Sequence, residues 1–466
     1  MAFVFYDTET TGTSTFFDQI LEFAAIRTDD EFRELDRFHI RCRLLPHVIP
    51  SPRALRITQV APATLIDSTL PSHYEMMTKI HEKLLSWSPA NFVGFNSIQF
   101  DEDLMRQAFF QTLYPPYLTN THGNVRSDVM RLAHATSIYA PDAIKVPLNA
   151  RGRPVFKLHR LSQENGFHDH TAHEALSDVL ATLDLARLIR DRAPDVWQAM
   201  VRATTKKFVT GYVRRELIFT LSESHFGHIY SWIVTLCGQN PERDIQLAVF
   251  DLFFDPKDYL SLTVDDLVRV LSDNPKPIRS LAANKQPIIM PEGAAPSGSK
   301  ALEIAPAERR RRMELIRANP DFQVRVGQAL ARRFEGETQS PYVEQRIYEG
   351  FPASGDEALM AKFHRVPWAE RIEIASRIED QRIYELAHRL IYFERPDLLP
   401  ATMATDLRAW VPKRVLAEGD NVPWMTVSKA LRDAEALLQD ARGSDAKLLG
   451  EVKEFLGGVA DSFTSR

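Results

Sequence analysis

FVFYDTET, at residues 3–10, is the segment from which the fold of this 466-residue chain can be argued. Its first four residues are apolar or aromatic, which predicts a buried β-strand that ends in acid. Because side chains alternate along a strand, Asp7 and Glu9 share one face with Phe3 and Phe5. Two carboxylates roughly 7 Å apart behind buried rings repel each other, and a divalent cation between them would relieve that repulsion. A strand that runs out into a solvated acidic turn is the alternative.

The composition is that of a soluble globular protein, with 44% hydrophobic and 26% charged residues. The chain has no run of about 18 apolar residues and no basic N-terminal region, so we expect neither a transmembrane helix nor a signal peptide. Cys42 and Cys237 lie in apolar or strand-like runs, which favours buried thiols of a reducing compartment over a disulfide. The net charge of −5 argues by itself against nucleic acid, but it averages over local basic segments.

The first 198 residues predict an α/β arrangement. Residues 20–28 and 38–45 continue the opening strand as an antiparallel meander, and residues 92–96 form a short buried strand. Amphipathic segments predict four helices, at residues 72–87, 101–113, 127–138 (with Ser127 as the N-cap) and 171–192. A meander followed by strand–helix alternation indicates a mixed sheet with helices packed on it.

The remainder of the chain changes character twice. Short β-like runs favour a small barrel; they lie at residues 208–213, 217–221, 229–236, 245–250 and 287–290. Residues 293–300 have the composition of a flexible linker, and residues 306–334 and 356–460 predict helices. The run Arg309–Arg312 is interpreted as a solvated helix face, unless DNA or the acidic tail of a partner uses it.

A second acidic position occurs where a strand meets a helix. A strand ends at Asn96, and Asp101 opens the next helix. A carboxylate at such a position is often only an N-cap or a partner of the helix dipole. Glu102 and Asp103 follow directly, so the assignment within this acidic cluster is left open.

A third acidic position lies in TAHEALSD, at residues 171–178. Thr171 and Glu174 fit a capping box, which places His173 in the first turn of the predicted helix. Asp178 heads a face of that helix that should be buried. A lone buried aspartate is costly, and it requires a metal ion, an arginine or a helix cap.

Together these positions indicate metal-assisted phosphoryl-transfer chemistry. Asp7, Glu9, Asp101 and Asp178 offer only oxygen ligands, which favours Mg²⁺ or Mn²⁺ over zinc. Two such ions about 4 Å apart can clamp the attacking and leaving oxygens of an in-line displacement. His173, with an unperturbed pKa near 6.5, suits a general base that deprotonates the attacking water.

The three acidic segments resemble, in their order, the motifs of the DEDDh exonuclease superfamily: Asp-x-Glu at 7–9, Asn-x-x-x-Phe-Asp at 96–101 and His-x-x-x-x-Asp at 173–178. Longer segments are similar to the bacterial exonuclease I family within it: FVFYDTETTGT, FAAIRTD, GFNSIQFDEDLMRQAF, FKLHRLSQENGFHDHTAHEALSDVLAT and IYEGF. The resemblance implies a 3′→5′ exodeoxyribonuclease that degrades single-stranded DNA to 5′-mononucleotides and acts in DNA repair and recombination.

The resemblance also implies three domains and a set of roles. The domains would be an RNase H-like exonuclease domain (1–198), an SH3-like barrel with linker and helices (199–347) and a C-terminal helical domain (348–466). Two Mg²⁺ ions, which Mn²⁺ can replace, would be held by Asp7, Glu9, Asp101 and Asp178. His173 would be the general base, and Glu9 would also lie against the 3′-terminal sugar.

Two basic segments could hold the DNA strand. Residues 143–163 carry five cations and no acid, and residues 202–216 carry five cations and one acid. Such runs are often only solubilising loops, but lining one groove they would form a basic track. The resemblance implies DNA contacts from Lys157, Arg106, Tyr117, Arg131, Lys206, Asn284 and Lys285. Lys157 stands where the family has an arginine, and lysine cannot fork to a phosphate.

The expected setting follows from the same resemblance. It implies a monomer of the bacterial cytoplasm, without a membrane partner, that binds the acidic C-terminal tail of single-stranded DNA-binding protein. Two alternatives stay open: a related 3′ exonuclease that prefers RNA, and a catalytically dead single-strand-binding scaffold. The complete set of four acids argues against the scaffold, and the long extension beyond residue 198 argues against a compact oligoribonuclease.

Overall fold

The acidic strand lies at the centre of a five-stranded mixed sheet. The computed structural model describes residues 1–168, 174–333, 339–418 and 421–464. The strands of this sheet, in the order β3-β2-β1-β4-β5, are β1 (Ala2–Thr10), β2 (Ile20–Thr28), β3 (Glu34–Arg41), β4 (Ala90–Gly94) and β5 (Val125–Asp128). β1, β2 and β3 are antiparallel neighbours, whereas β4 runs parallel to β1 and β5 parallel to β4. The predicted mixed sheet is confirmed.

Alternation along β1 divides the core around this sheet into two layers. The helices of this region are α1 (Pro52–Thr58), α2 (Pro62–Leu65), α3 (His73–Trp87), α4 (Asp101–Gln111), α5 (Val129–Tyr139), α6 (Leu158–Glu164), α7 (Ala175–Arg192) and α8 (Pro194–Arg202). Phe3 and Phe5 pack with α5, α7 and α8, and Val4 and Tyr6 pack with α3 and α4. Each fully buried phenylalanine contributes about 1.5–3 kcal/mol, so the alternation fixes which face Asp7 occupies.

Two predicted helix starts are wrong. Ser127 is not an N-cap but a buried residue of β5, where its Oγ accepts a hydrogen bond from Asn91 Nδ2 at 2.8 Å. Asp128 is the N-cap of α5, and its carboxylate accepts the Met130 N–H at 3.0 Å. Helix α7, predicted to begin at residue 171, begins at Ala175 with an extended Glu174 before it, and Thr171 lies outside the described residues.

A second five-stranded sheet follows, and it is antiparallel throughout. Its strands, in the order β10-β6-β7-β8-β9, are β6 (Phe219–His225), β7 (His228–Gln239), β8 (Gln246–Asp251), β9 (Ile278–Ala282) and β10 (Ile288–Pro291). Two helices, α9 (Lys206–Arg215) and α10 (Val264–Val270), accompany it. The pairing places β10 and β9 at its edges, so closure into the predicted barrel stays a prediction.

The predicted strand at residues 208–213 is wrong, because it belongs to helix α9. Its aromatic and β-branched residues favour a strand by composition. However, the Thr205 hydroxyl caps the helix by accepting the Phe208 N–H at 3.3 Å. Val209 and Val213, four residues apart, are both buried in the core of the second sheet. Tertiary packing on one helical face therefore overrides strand propensity.

The rest of the described chain is helical, as predicted. Its helices are α11 (Pro306–Arg317), α12 (Pro320–Arg332), α13 (Ser354–Arg365), α14 (Trp368–Ser376), α15 (Gln381–Glu394), α16 (Ala401–Val415), α17 (Val427–Asp440) and α18 (Gly443–Thr464). Within the described ranges, no helix combines the length and the apolar character that crossing a bilayer requires. Cys42 and Cys237 are free and buried, in agreement with the prediction of buried thiols.

The arginine run at the start of α11 is largely not a solvated face. Arg309 is 6% exposed; it pairs with Glu292 at 2.8 Å and donates hydrogen bonds to the carbonyls of Ala301 and Ile304. Arg312 donates to the carbonyls of Leu252 and Phe253, at 3.0 and 2.7 Å. Arg311 pairs with Glu308 and Asp255, and only Arg310 is exposed. Most of the run therefore fastens α11 to the second sheet.

Candidate active site at the end of strand β1

Asp7 and Glu9 lie in the last four residues of β1. In the register with β2, Asp7 stands opposite Ala24, and Glu9 stands opposite Glu22 just before an irregularity in the pairing. Glu22 is buried, and its carboxylate oxygens lie 2.6 Å from His39 Nε2 and 2.9 Å from Arg41 Nη2. Burial acts to raise the pKa of Glu22, but these hydrogen bonds outweigh it and lower the pKa. Glu22 is therefore held as a carboxylate by β3.

Asp178 reaches the same place from the first turn of α7. The oxygens that Asp7, Glu9 and Asp178 can offer to an ion all lie within 4.8 Å of one another. Val179 and Leu185 are fully buried in the core on which α7 rests, so the helix cannot turn its acid away from β1. The sequence-based expectation that these three acids meet is thus seen in the geometry.

Asp101, the first residue of α4, is buried beside this group. Its Oδ1 accepts a hydrogen bond from Thr8 Oγ1 at 2.6 Å, and Thr8 is the residue between the two acids of β1. Burial raises the pKa of Asp101 to about 7, against the opposing effect of the bond from Thr8. Asp101 is not within the 4.8 Å group, but its charge acts on Asp7.

The acids destabilise one another's charged forms. Burial, followed by the charges of Asp101, Asp178 and Glu9, raises the pKa of Asp7 well above its ordinary value. Burial, followed by the charge of Asp178, raises the pKa of Glu9 to about 8. Carboxylate oxygens that lie close together and repel one another suit a hard divalent cation, whose positive charge would stabilise their ionised forms.

His173, the predicted general base, lies outside the described residues. Its role therefore stays a prediction. Asp178 lies five residues after it on the helix that contributes to the acid group.

Three of the predicted DNA-contact residues lie close together. Arg131 and Lys285 line a cavity of about 460 Å³ between α5 and the second sheet. Burial lowers the pKa of Lys285, and the positive charges of Arg131 and Arg106 lower it further. The negative charge of Asp103 acts in the opposite direction. Asn284 precedes Lys285 in the loop between β9 and β10. Mutually repelling cations in a cavity form a site that suits a phosphate.

The other predicted contacts are more dispersed. The Arg106 guanidinium lies 5.4 Å from the centre of the Tyr117 ring, so both belong to one surface. Lys157 is exposed just before α6. Lys206, at the start of α9, is exposed and pairs with Asp244. All ten lysine and arginine side chains of the two basic segments are exposed, so burial does not distinguish which of them would meet DNA.

Two features of this region are not predicted from the sequence. Phe351 is 76% exposed, and its ring lies 5.7 Å from that of Tyr117, although the two residues are far apart in the chain. Glu102, which the sequence left open as a ligand, is 1% exposed and bonded to Tyr6 and Thr119 rather than directed at the acids. In the sequence, the exposure of Phe351 is hinted at only by its place in the segment IYEGF, where it belongs to no apolar pattern.

Two family models match the chain at its two ends. The model described as Exonuclease matches residues 4–186, and that described as Exonuclease I C-terminal domain matches residues 341–458. The chain belongs to the exonuclease I family. Membership of an exonuclease family implies dependence on a divalent metal ion, and the acid group described above supplies suitable ligands.

Relatives from two bacteria match most of the chain. Exodeoxyribonuclease I of Escherichia coli K12 is 27% identical over 376 residues, or 77% of this chain and 78% of that protein. Exodeoxyribonuclease I of Haemophilus influenzae is 26% identical over 412 residues, or 83% and 84% of the two chains.

Solved structures of exonuclease I share the fold. That from Methylocaldum szegediense superimposes with a TM-score of 0.85 at 24% identity, over 98% of this chain and 99% of its own. E. coli exonuclease I in complex with a dA16 oligonucleotide gives 0.85 at 23% identity over the same shares. These matches confirm the mixed α/β, RNase H-like exonuclease fold with a C-terminal helical region.

Proposed function

We propose that this chain is a 3′→5′ exodeoxyribonuclease that degrades single-stranded DNA to 5′-mononucleotides in the bacterial cytoplasm, in DNA repair and recombination. The proposal depends on one observation: carboxylate oxygens of Asp7, Glu9 and Asp178 lie within 4.8 Å of one another at the end of β1, with Asp101 beside them. The relatives named exodeoxyribonuclease I support the substrate class, and E. coli exonuclease I has been solved with DNA oligonucleotides.

Four carboxylates would hold the metal ions. Two Mg²⁺ ions at Asp7, Glu9, Asp101 and Asp178, with Mn²⁺ able to replace them, would stabilise the charge on the attacking and leaving oxygens. The charges of both Asp101 and Asp178 act on Asp7, so its carboxylate would be the one available to either ion. Glu9 would also contact the 3′-terminal sugar, and His173 would take the proton of the attacking water at a ring nitrogen.

The strand would be held by the basic surface beside the acids. Arg131 and Lys285 would bind phosphates in the groove between α5 and the second sheet, with Asn284 as a polar contact. Arg106 would bind a phosphate on the surface that it shares with Tyr117. Tyr117 would stack on a base. Lys157 and Lys206 would add phosphate contacts at exposed positions, and Lys206 would first exchange its partner Asp244 for the phosphate.

The remaining features of the proposal concern organisation. We propose domains at 1–198, 199–347 and 348–466, the second built on an SH3-like barrel, since β6 pairs with both β7 and β10 in an antiparallel meander. An acidic C-terminal tail of single-stranded DNA-binding protein is the proposed partner, because an SSB/exonuclease I complex with an inhibitor has the same fold at a TM-score of 0.82. The working unit is proposed to be a monomer.

One time course tests substrate, polarity and metal together. Matched DNA and RNA oligonucleotides carry a label at either the 5′ or the 3′ end and are incubated with Mg²⁺, with Mn²⁺ or with EDTA. We expect labelled mononucleotide at once from 3′-labelled DNA, a shortening ladder from 5′-labelled DNA, and no product in EDTA.

Matched variants connect the result to the site. Asp178→Asn should abolish product while leaving DNA binding in EDTA largely unchanged, whereas Asp195→Asn, an exposed acid at the start of α8, should behave as wild type. Faster degradation of RNA than of DNA would favour the RNA-preferring exonuclease. Binding without any product in either metal would favour the scaffold.

A further inference from the structure

Glu102 is a buried carboxylate that the proposed chemistry does not use. It follows Asp101 in α4 and is 1% exposed. Its Oε1 accepts a hydrogen bond from the Tyr6 hydroxyl at 2.7 Å, and its Oε2 accepts one from the Thr119 hydroxyl at 2.7 Å. Because Tyr6 directly precedes Asp7, Glu102 joins the strand and the helix that carry acids of the site.

The same carboxylate is connected to the second sheet through Arg126. Arg126, on β5, is 7% exposed and places its Nη1 3.2 Å from Glu102 Oε2. Its Nη2 donates a hydrogen bond to the carbonyl of Asn284 at 3.3 Å, and Lys285 is the next residue. One guanidinium therefore connects the helix of Asp101 to the loop that carries two of the proposed DNA contacts.

A second attachment holds that loop to the same strand. Gln286 is 1% exposed, has a positive φ of 44° and hydrogen-bonds to the first sheet. Its Oε1 accepts the Asp128 N–H at 2.8 Å, and its Nε2 donates to the Met200 carbonyl at 3.1 Å. The loop is thus anchored on both sides of Lys285, at Arg126 and at Asp128.

We propose that Glu102 and Arg126 are positioning residues that set the loop at Asn284 and Lys285 relative to the acids of β1. The inference rests on the proposed function. Removing the charge of Glu102 leaves the buried Arg126 guanidinium without its carboxylate, and removing Arg126 leaves Glu102 with only the more distant Arg106, 3.6 Å away. In both cases the loop loses its charged anchor. Asp7 is held by the pairing of β1 with β2, so the DNA contacts would move more than Asp7 does, and substrate binding weakens more than the chemical step.

Three variants test the connection: Glu102→Gln, Arg126→Met and the double substitution. We expect the KM for a single-stranded oligonucleotide to rise about 5–20-fold in each single variant, with kcat within about threefold of wild type. If the two residues act through each other, the double variant should resemble a single variant, since effects within one network are not additive.

A fourth variant keeps the test informative if the others fold poorly. Arg126→Lys keeps a positive charge beside Glu102 but lacks the fork that reaches both Glu102 and the Asn284 carbonyl. We expect it to fold, as judged by circular dichroism, and to show a raised KM. A folded Arg126→Lys variant with the wild-type KM would overturn the inference.

The control is another buried carboxylate, far from the groove in the chain. Asp356 is 4% exposed and accepts the N–H groups of Glu379 and Asp380 at 3.0 and 2.9 Å. Asp356→Asn should lower the thermal midpoint without changing KM. An unchanged KM in the Glu102 variant, an additive double variant, or a fall in kcat alone would contradict the inference. Failure of the wild type to degrade single-stranded DNA would instead overturn the proposed function.

Discussion

The acids of the group lie close enough to repel one another, an arrangement that suits metal binding but lowers the stability of the folded chain. Asp7→Asn removes one carboxyl group from a site in which burial and four neighbouring acids raise the pKa of Asp7. We expect metal-dependent activity to fall by roughly 10³ or more, since several kcal/mol of transition-state stabilisation are lost. In EDTA, the thermal midpoint should rise because like-charge repulsion is relieved. Calorimetry of both proteins in EDTA measures this, and a lowered midpoint would contradict it.

His173 is the residue of the proposed mechanism whose role rests on the sequence alone. His173→Ala should lower kcat by roughly 10²–10⁴, the usual contribution of a general base. Binding of the oligonucleotide in EDTA should not change, because the substitution removes no positive phosphate contact at neutral pH. The matched control is His168→Ala, an exposed histidine five residues earlier. Equal rates for the two variants would remove His173 from the mechanism.

At the scale of elements, helix α3 begins with a buried histidine that makes folding sensitive to acid. Burial lowers the pKa of His73 to about 4, and its Nε2 has no hydrogen-bond partner among the described residues. The unfolded chain binds a proton near pH 6.5 and the folded chain only near pH 4. Stability is therefore fully present above pH 6.5 and is lost as pH falls toward 4.

The variant His73→Leu isolates this contribution. Between pH 7.5 and pH 5.0, the unfolding free energy of the wild type should fall by about 2 kcal/mol more than that of the variant. Urea unfolding of both proteins at the two pH values measures the difference. The same pH dependence in both proteins would show that His73 is not responsible.

Helix α11 offers a second test at this scale, because adjacent arginines have opposite surroundings. Arg309→Met should lower the unfolding free energy by about 2–3 kcal/mol, since it leaves two buried carbonyls and Glu292 without their donor. Arg310→Met, at an exposed position, should change it by less than about 0.5 kcal/mol. Denaturant midpoints of the two variants give the comparison, and equal losses would argue against the structural role.

At the scale of the whole molecule, an acidic protein is proposed to bind a polyanion. The formal net charge is −5, so attraction must come from the local groove rather than from the total. We expect binding to weaken steeply with salt, and Lys285→Ala should reduce the slope of log K against log salt by roughly 0.7. Lys447→Ala, 82% exposed on α18, is the control and should leave the slope unchanged. Salt-insensitive binding would rule out the basic track.

The sequence predicts best what local periodicity encodes. The period of two in β1 places Phe5 and Asp7 on one face, and Leu185 and Val179 orient α7, so three acids could be expected to meet. It predicts less well where two local signals compete, as at residues 208–213, where strand-forming side chains lie on a capped helix.

Long-range partners are not encoded in any local pattern. Glu102 reads as one of three consecutive acids, and only the folded chain shows that Tyr6, Thr119 and Arg126 surround it. The four-arginine run reads as a cationic surface, and only the fold shows the carbonyls that receive most of its donors. The acids of the candidate site can therefore be predicted from the sequence, whereas the contacts that hold them in place cannot.

The anchoring of Lys285 to β5 has a consequence for the order in which the enzyme is made. Arg126 and Asp128 meet partners that lie 158 residues later in the chain. At a ribosomal rate of about 5–20 residues per second, the loop with Lys285 emerges roughly 5–20 s after Asp178, the last residue of the acid group. A nascent chain therefore possesses its acids well before it possesses the groove that delivers a strand to them, and nuclease competence is a property of the finished polypeptide.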